Sequence, residues 1–291
     1  MIDRIAAAPI SWGICEVPGW GLQMTPSRIL GEMSELGITK TELGALGWLP
    51  DDVPTLRGLL DQFHMSVLGG FVPLVLHHGT AHPGSLQAAH AAARTLSDAG
   101  GQYFVAAVIS SMESWDRPTL DDEEWAALFH GLGETEKIVA EYGLTQVVHP
   151  HVNTLIETND EFERFLNSSS CLFCLDTGHL FIGGADPVAI AEQQGDRVGL
   201  VHVKDVDKEI SDRFRAGEFD WMGAIQHGLF PSAGSGDAPI AATVRTLERS
   251  GYAGWYVLEQ DVALPEGEPP AGQGPVHGVR KSIEYLKSLA G

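Results

Sequence analysis

The sequence predicts a (β/α)8 TIM barrel, and three observations predict it. Short apolar runs alternate with longer helical patterns along the whole 291-residue chain. Eight of these runs read as strands, nearly all separated by helices, which is the rhythm of parallel strands joined by crossovers. Runs such as "CLFCL" and "WYVL" are apolar without alternation, as in strands covered on both faces. A doubly wound open sheet would want a glycine-rich phosphate turn after its first strand, and "PISWGICEVPGWG" is not one. No linker or composition break divides the chain, so one domain over residues 1–291 is expected.

The elements follow from period and stop signals. "IAAAPISWG" opens the chain, and a helical stretch over residues 26–36 stops at Gly37. "ITKTELG" is a short second strand. "VPTLRGLLDQF" has apolar residues at helical spacing, and "SVLGGFVPL" follows as strand and loop. "GSLQAAHAAARTLSDAGG" is a helix with a glycine stop, before the strand "YFVAAVI". The long helix "DDEEWAALFHGLGETEKIVAEYG" leads to "TQVVHPH", and "TNDEFERFLNS", with its capping signal, leads to "CLFCLD". "ADPVAIAEQQG" leads to "GLVHVKD", and a longer segment, residues 206–240, intervenes. "IAATVRTLERSGY" leads to "GWYVLEQ", and "GPVHGVRKSIEYLKSLA" closes the chain. The Pro- and Gly-rich stretch 264–275 sits where the loop after strand eight should be, and reads as an active-site loop.

Composition narrows the function classes. Hydrophobic residues make up 44%, enough for a full core, and charged residues 20%, too few for disorder. A net charge of −21 opposes nucleic acid as a partner. No apolar run reaches transmembrane length, and the N-terminal apolar stretch is too short for a signal peptide. Three cysteines, Cys15, Cys171 and Cys174, are an odd number and suggest reduced thiols in a cytoplasm. Cys171 and Cys174 have redox-pair spacing, but on a strand residues three apart face opposite sides. The expected partner is a small polyol or keto-sugar, with no membrane; the oligomeric state stays open, a homo-oligomer included.

In a TIM barrel, catalytic groups sit at the C-terminal ends of the strands. Strand one ends at Ser11 and Trp12, and strand two at Glu42. Strand five ends at His149 and His151, which as alternate residues share one side. Strand six ends at Asp176, with His179 three residues on. Strand seven carries His202, Lys204 and Asp205, and strand eight ends at Glu259. Each alone is unremarkable, since strand-end carboxylates commonly cap helices or pair with cations. Together, four successive strand ends offer His, Asp or Glu. A mixed nitrogen and oxygen shell of this kind suits a divalent ion, Mn²⁺ or Co²⁺ foremost and Zn²⁺, Fe²⁺ or Mg²⁺ as alternatives. A salt-bridge and capping network around the barrel mouth would use the same residues.

Here the residues resemble a known family. "APISWG", "TELG", "HPHVNTLIET", "CLDTGH", "VHVKDV" and "WYVLEQD" look like the xylose-isomerase-like TIM barrels, a group of sugar isomerases, epimerases and dehydratases. Within it the closest similarity is to the inosose dehydratases of inositol breakdown, which act on 2-keto-myo-inositol. "PISWG", "TELGALGWLP" and the "HPH" pair carry that narrower match.

The resemblance implies a metal site on Asp176, His202 and Glu259. The family's fourth ligand is a strand-five glutamate, and here that position holds His149, with His151 and Glu157 as the other candidates. It implies substrate contact at His179. Epimerases and isomerases of the group use two metal-bound carboxylates as acid and base, so an imidazole at strand five favours dehydration. Catalytic roles are therefore expected of His151, His179, Glu42 and Lys204. Trp12, Trp48 and Asn153 are expected to bind the polyol. Lys204 and Asp205 could also simply pair. Arg213 and Arg215 read as a solvated helix, and "SAGSGD" as a loop closing over the pocket. The expected activity is a metal-dependent carbon–oxygen lyase; the alternative is a metal-dependent ketose isomerase or 3-epimerase, and a binding barrel with a degraded site is a third reading.

Overall fold

Eight parallel strands close on themselves in the computed structural model, in sequence order, with the last paired back to the first. The structure describes residues 1–78, 83–114 and 116–289. The strands are β1 (Ile5–Ala7), β2 (Lys40–Glu42), β3 (Ser66–Leu74), β4 (Tyr103–Val108), β5 (Thr145–Val148), β6 (Phe173–Asp176), β7 (Val198–Val203) and β8 (Tyr256–Leu258). The helices are α1 (Pro26–Glu35), α2 (Val53–Gln62), α3 (Pro83–Asp98), α4 (Asp122–Glu141), α5 (Asn159–Ser168), α6 (Thr177–Ile182), α7 (Pro187–Gln194), α8 (Lys208–Arg215), α9 (Trp221–Gln226), α10 (Ile240–Ser250) and α11 (Pro275–Ser288). This is the TIM barrel that the alternation predicts.

Local chemistry sets the helix starts. Asp121 with Glu124, and Thr158 with Glu161, form capping boxes at α4 and α5. Each cap satisfies otherwise orphaned N–H groups, which stabilises a helix by about 1 kcal/mol. Proline opens α1, α2 and α7, where its missing N–H costs nothing.

Alternation along the strands separates two core layers. Ala6, Leu68, Val105, Val147 and Leu200 point into the barrel. Phe104, Val148, Phe165 and Phe173 lie in the larger layer between barrel and helices. A third cluster, with Trp20, Val152, Ile225, Leu229 and Phe230, draws on the loops after β1 and β5 and on the segment around α9. It roofs the C-terminal side of the barrel.

The structure departs from the sequence reading in three places. β3 runs through all nine residues to Leu74, where a strand and then a loop was expected. Glycine permits this: a Cβ on Gly69 would lie 2.7 Å from the Tyr103 carbonyl oxygen. β5 stops at Val148, short of the histidines, because Pro150 has no N–H for the ladder. "DTGH" opens a separate short helix, α6. Cys171 lies in the outer layer and Cys174 in the inner one, and both are free thiols. Among the described residues, no helix is long and apolar enough to cross a membrane.

Candidate active site

Asp176 organises the C-terminal mouth because its two oxygens do different work. Oδ1 accepts from the N–H groups of Gly178 and His179, 2.8 Å each, and so caps α6. Oδ2 is left facing inward, 3.4 Å from His149 Nε2, 3.7 Å from His202 Nδ1 and 4.0 Å from His179 Nε2. Register brings His202 there, since Asp176 pairs with His202 across β6 and β7. Glu259, just beyond β8, places Oε2 3.4 Å from His202 Nδ1. His149, Asp176, His202 and Glu259 are thus contiguous, although they come from four strand ends.

Glu42 stands behind this group. Its Oε1 is 3.2 Å from His202 Nε2, which donates to it, while Nδ1 faces Asp176 and Glu259. Burial alone would lower the His202 pKa, but Cys174, Glu259 and Glu42 outweigh it and raise it well above the ordinary value. Burial keeps His149 neutral against the pull of Asp176.

Lys204 is fully buried at the centre. Its Nζ lies 2.8 Å from Asp261 Oδ1, 3.0 Å from Glu259 Oε2 and 2.9 Å from His179 Nε2. Burial opposes its charge, yet Asp261, Glu259 and Asp176 together raise its pKa. An ammonium can only donate, so His179 Nε2 accepts and Nδ1 carries the ring proton. The 3.4 Å approach of Val152 N to that Nδ1 is then no more than a contact. Burial, with the charges of His151 and Lys204, lowers the His179 pKa strongly. Asp261 is raised to about 6, chiefly by burial. Gly178 makes room for the lysine stem: a Cβ there would lie 2.7 Å from Lys204 Cγ.

His149 and His151 turn to the same side, their rings 5.4 Å apart. His151 donates Nδ1–H to the Val152 carbonyl at 2.6 Å and stacks against His179 at 3.8 Å. Burial lowers its pKa to about 3. Aromatic rings close the space: Phe71 lies 5.7 Å from His151, Trp221 6.3 Å from both His151 and His179, and Phe230 5.9 Å from His179. Lys204 Nζ lies 4.9 Å from the Phe230 ring centre.

Several expectations need correction. Trp12 does not reach the cluster; it is buried in the outer layer and donates its indole N–H to Glu32 of α1. Trp48 donates its indole N–H to the Met24 carbonyl. The aromatic rings beside the imidazoles are Trp221, Phe230 and Phe71. Asn153 is a turn residue with φ 67°, and its N–H donates to Glu157. Glu157 is committed to Arg117 and Arg215, which pair with it at 3.1 and 2.7 Å. Arg215 is thus a clasp from α8, whereas Arg213 pairs with Glu218 at the surface. Lys204 and Asp205 do not pair with each other; Asp205 accepts from the N–H groups of Gly234, Gly236 and Ala238 and shapes that glycine loop. The 264–275 stretch is tied to α1, through Arg28 to Pro270 and Gly272 to Glu32.

The donor set fits a divalent cation. Glu259 and Asp261 contact the Lys204 ammonium, and Glu42, Asp176 and Glu259 surround His202, so four carboxylates share this small volume. The buried nitrogen His149 Nδ1 has no hydrogen-bond partner. An orphaned buried nitrogen and clustered buried carboxylates are both costly, and a cation would relieve both.

Comparison with known proteins agrees with this fold. A family model described as xylose isomerase-like TIM barrel matches residues 31–289. The chain is 30% identical to an inosose dehydratase of Geobacillus kaustophilus over 98% of this chain and 94% of that one. It is 30% identical to the rhizopine catabolism protein MocC of Rhizobium meliloti, covering 92% and 85%. Its fold matches the solved structure of IolI with a bound zinc atom, with a TM-score of 0.72 at 13% identity, over 98% of this chain and 97% of that one. The chain belongs to the xylose isomerase-like TIM barrel family.

Proposed function

We propose that this chain is a metal-dependent dehydratase, a carbon–oxygen lyase acting on a cyclic keto-polyol such as 2-keto-myo-inositol. The observation that carries the reading is the Lys204–His179 pair set against the imidazole and carboxylate cluster, in a chain similar over nearly its full length to an inosose dehydratase. His149, Asp176, His202 and Glu259 would hold the cation, Mn²⁺ or Co²⁺ by donor chemistry. Bound there, such an ion polarises a substrate carbonyl as a Lewis acid.

The chain's own residues handle the protons. His151 commits Nδ1–H to a backbone carbonyl, so Nε2 is the nitrogen that would accept the proton from the carbon beside the carbonyl; burial makes the ring a weak base, so the step depends on polarisation of that carbonyl. Lys204, held charged by Asp261 and Glu259, donates with His179 to the departing hydroxyl, which leaves as water. One C–H bond and the neighbouring C–O bond break, and a C=C bond forms between those carbons. Trp221, Phe230 and Phe71 offer flat apolar faces to the carbon ring and exclude water. An imidazole at the strand-five position, in place of a carboxylate, does not suit a symmetric two-carboxylate epimerisation.

The test is product identity. Incubation of the Mn²⁺-loaded protein with 2-keto-myo-inositol should yield a product lighter by one water and absorbing in the near ultraviolet. An isomer of unchanged mass would replace this reading with the epimerase one.

A further inference from the structure

Beneath the oxygen-rich donors lies a second set with different chemistry. Cys174 precedes Asp176 by two residues on β6, so both side chains point inward. The thiol is fully buried in the inner layer beside Val147 and Leu200. Its sulfur and one nitrogen each of His149 and His202 all lie within 4.8 Å of one another. Both imidazoles are at least nine-tenths buried, and His149 carries an Nδ1 without a hydrogen-bond partner. Two histidines therefore stand between hard oxygens above and a soft sulfur below.

We propose that Cys174, His149 and His202 form an alternative soft-metal site that takes Zn²⁺ or Cd²⁺ through a thiolate. Thiolate selects such ions, while carboxylate oxygen selects Mn²⁺ or Mg²⁺. On binding, the S–H bond breaks, the proton leaves to solvent and a metal–sulfur bond forms. The two sets share both imidazoles, so one ion excludes the other. An ion held by sulfur sits one layer deeper, away from Glu259 and the Lys204 pair. Zinc then competes with manganese without supporting the same turnover. This rests on the reading of the cluster as a metal centre, but not on the dehydratase chemistry.

The experiment reads absorbance and not activity. The metal-stripped full chain is titrated with Cd²⁺, and the thiolate-to-metal charge-transfer band is followed. The band should saturate at one equivalent, persist in Cys171→Ser and vanish in Cys174→Ser and Cys174→Ala. Mn²⁺ binding, followed by electron paramagnetic resonance, should survive in whichever Cys174 variant folds. Bound Cd²⁺ without the band, or a band unchanged when Cys174 is replaced, would overturn the proposal. Failure to bind any divalent ion would overturn the metal centre with it, whereas metal binding without dehydration would leave this proposal standing.

Discussion

Lys204 Nζ lies 2.9 Å from His179 Nε2 while also contacting Asp261 and Glu259. A buried cation thereby touches the one imidazole that closes against both His151 and Trp221. Replacing Lys204 with Met removes the donor, and general acid catalysis typically contributes about 10²–10⁴-fold in rate. Turnover should fall by that order. Stability should also fall, by about 3–5 kcal/mol, because Asp261 loses its buried partner. Adding Asp261→Asn should recover part of the stability, read by denaturant unfolding, and none of the turnover. Near-parent turnover in Lys204→Met would remove the lysine from the chemistry.

Glu42 acts through His202. Loss of a carboxylate that orients a metal-binding histidine typically costs about 10–100-fold in affinity. Glu42→Ala should weaken Mn²⁺ or Co²⁺ binding by that order, measured by chelator competition. Glu42→Gln should weaken it less, since its amide oxygen still accepts from His202 Nε2–H. Equal losses in the two variants would contradict the orienting role.

The two strand-five histidines should separate. His149→Glu is expected to keep the metal, because a carboxylate is a competent donor, yet to lose most of the dehydration rate. His151→Ala is expected to keep the metal and lose turnover by about 10²-fold or more, the low end of general-base contributions. Metal content and turnover close to the parent in both variants would reduce the pair to strand-end capping.

Glu157 is held by Arg117 and Arg215, from different connections of the barrel. Both arginines are partly exposed, so Glu157→Gln should cost only about 1.5–3 kcal/mol, the range for hydrogen bonds to charged groups. Metal content should match the parent. Loss of metal would return Glu157 to the candidate ligands.

At the opposite end of the barrel, Glu248 accepts from Tyr256 and pairs with Arg4. Burial pushes its pKa up, but Tyr256 and Arg4 outweigh this and hold it below the ordinary 4.5. A depressed carboxylate pKa contributes stability above the unfolded value, lost as pH falls through the folded value. The melting temperature of Glu248→Gln should therefore lie below the parent at pH 7. The two should converge as pH drops below 4.5. A gap that widens with acid would reverse the assigned sign.

Much of this was legible because it rests on local rules. The capping boxes at Asp121 and Thr158, the Gly37 stop and the non-alternating strands each report one element, and their order reports the barrel. Strand-end placement likewise brought His149, Asp176, His202, Lys204 and Glu259 together. What was illegible depends on tertiary approach. Trp221 and Phe230 sit in the 206–240 segment, whose fold back over the mouth has no periodic signature. Trp12 and Trp48 follow strand ends, but their indole N–H groups find Glu32 and the Met24 carbonyl. Cys174 sat in plain view two residues before Asp176, and alternation on β6 was the signal that could have placed it under the site.

The central claim is that dehydration depends on a cation held by His149, Asp176, His202 and Glu259. Its most direct test is the turnover of 2-keto-myo-inositol by chelator-stripped protein before and after one equivalent of Mn²⁺ or Co²⁺, in the parent and in Asp176→Ala. Turnover should be absent in the stripped protein and return to the parent level on reloading, and Asp176→Ala should neither take up metal nor recover. Full turnover in verified metal-free protein, or full metal uptake by Asp176→Ala, would contradict it.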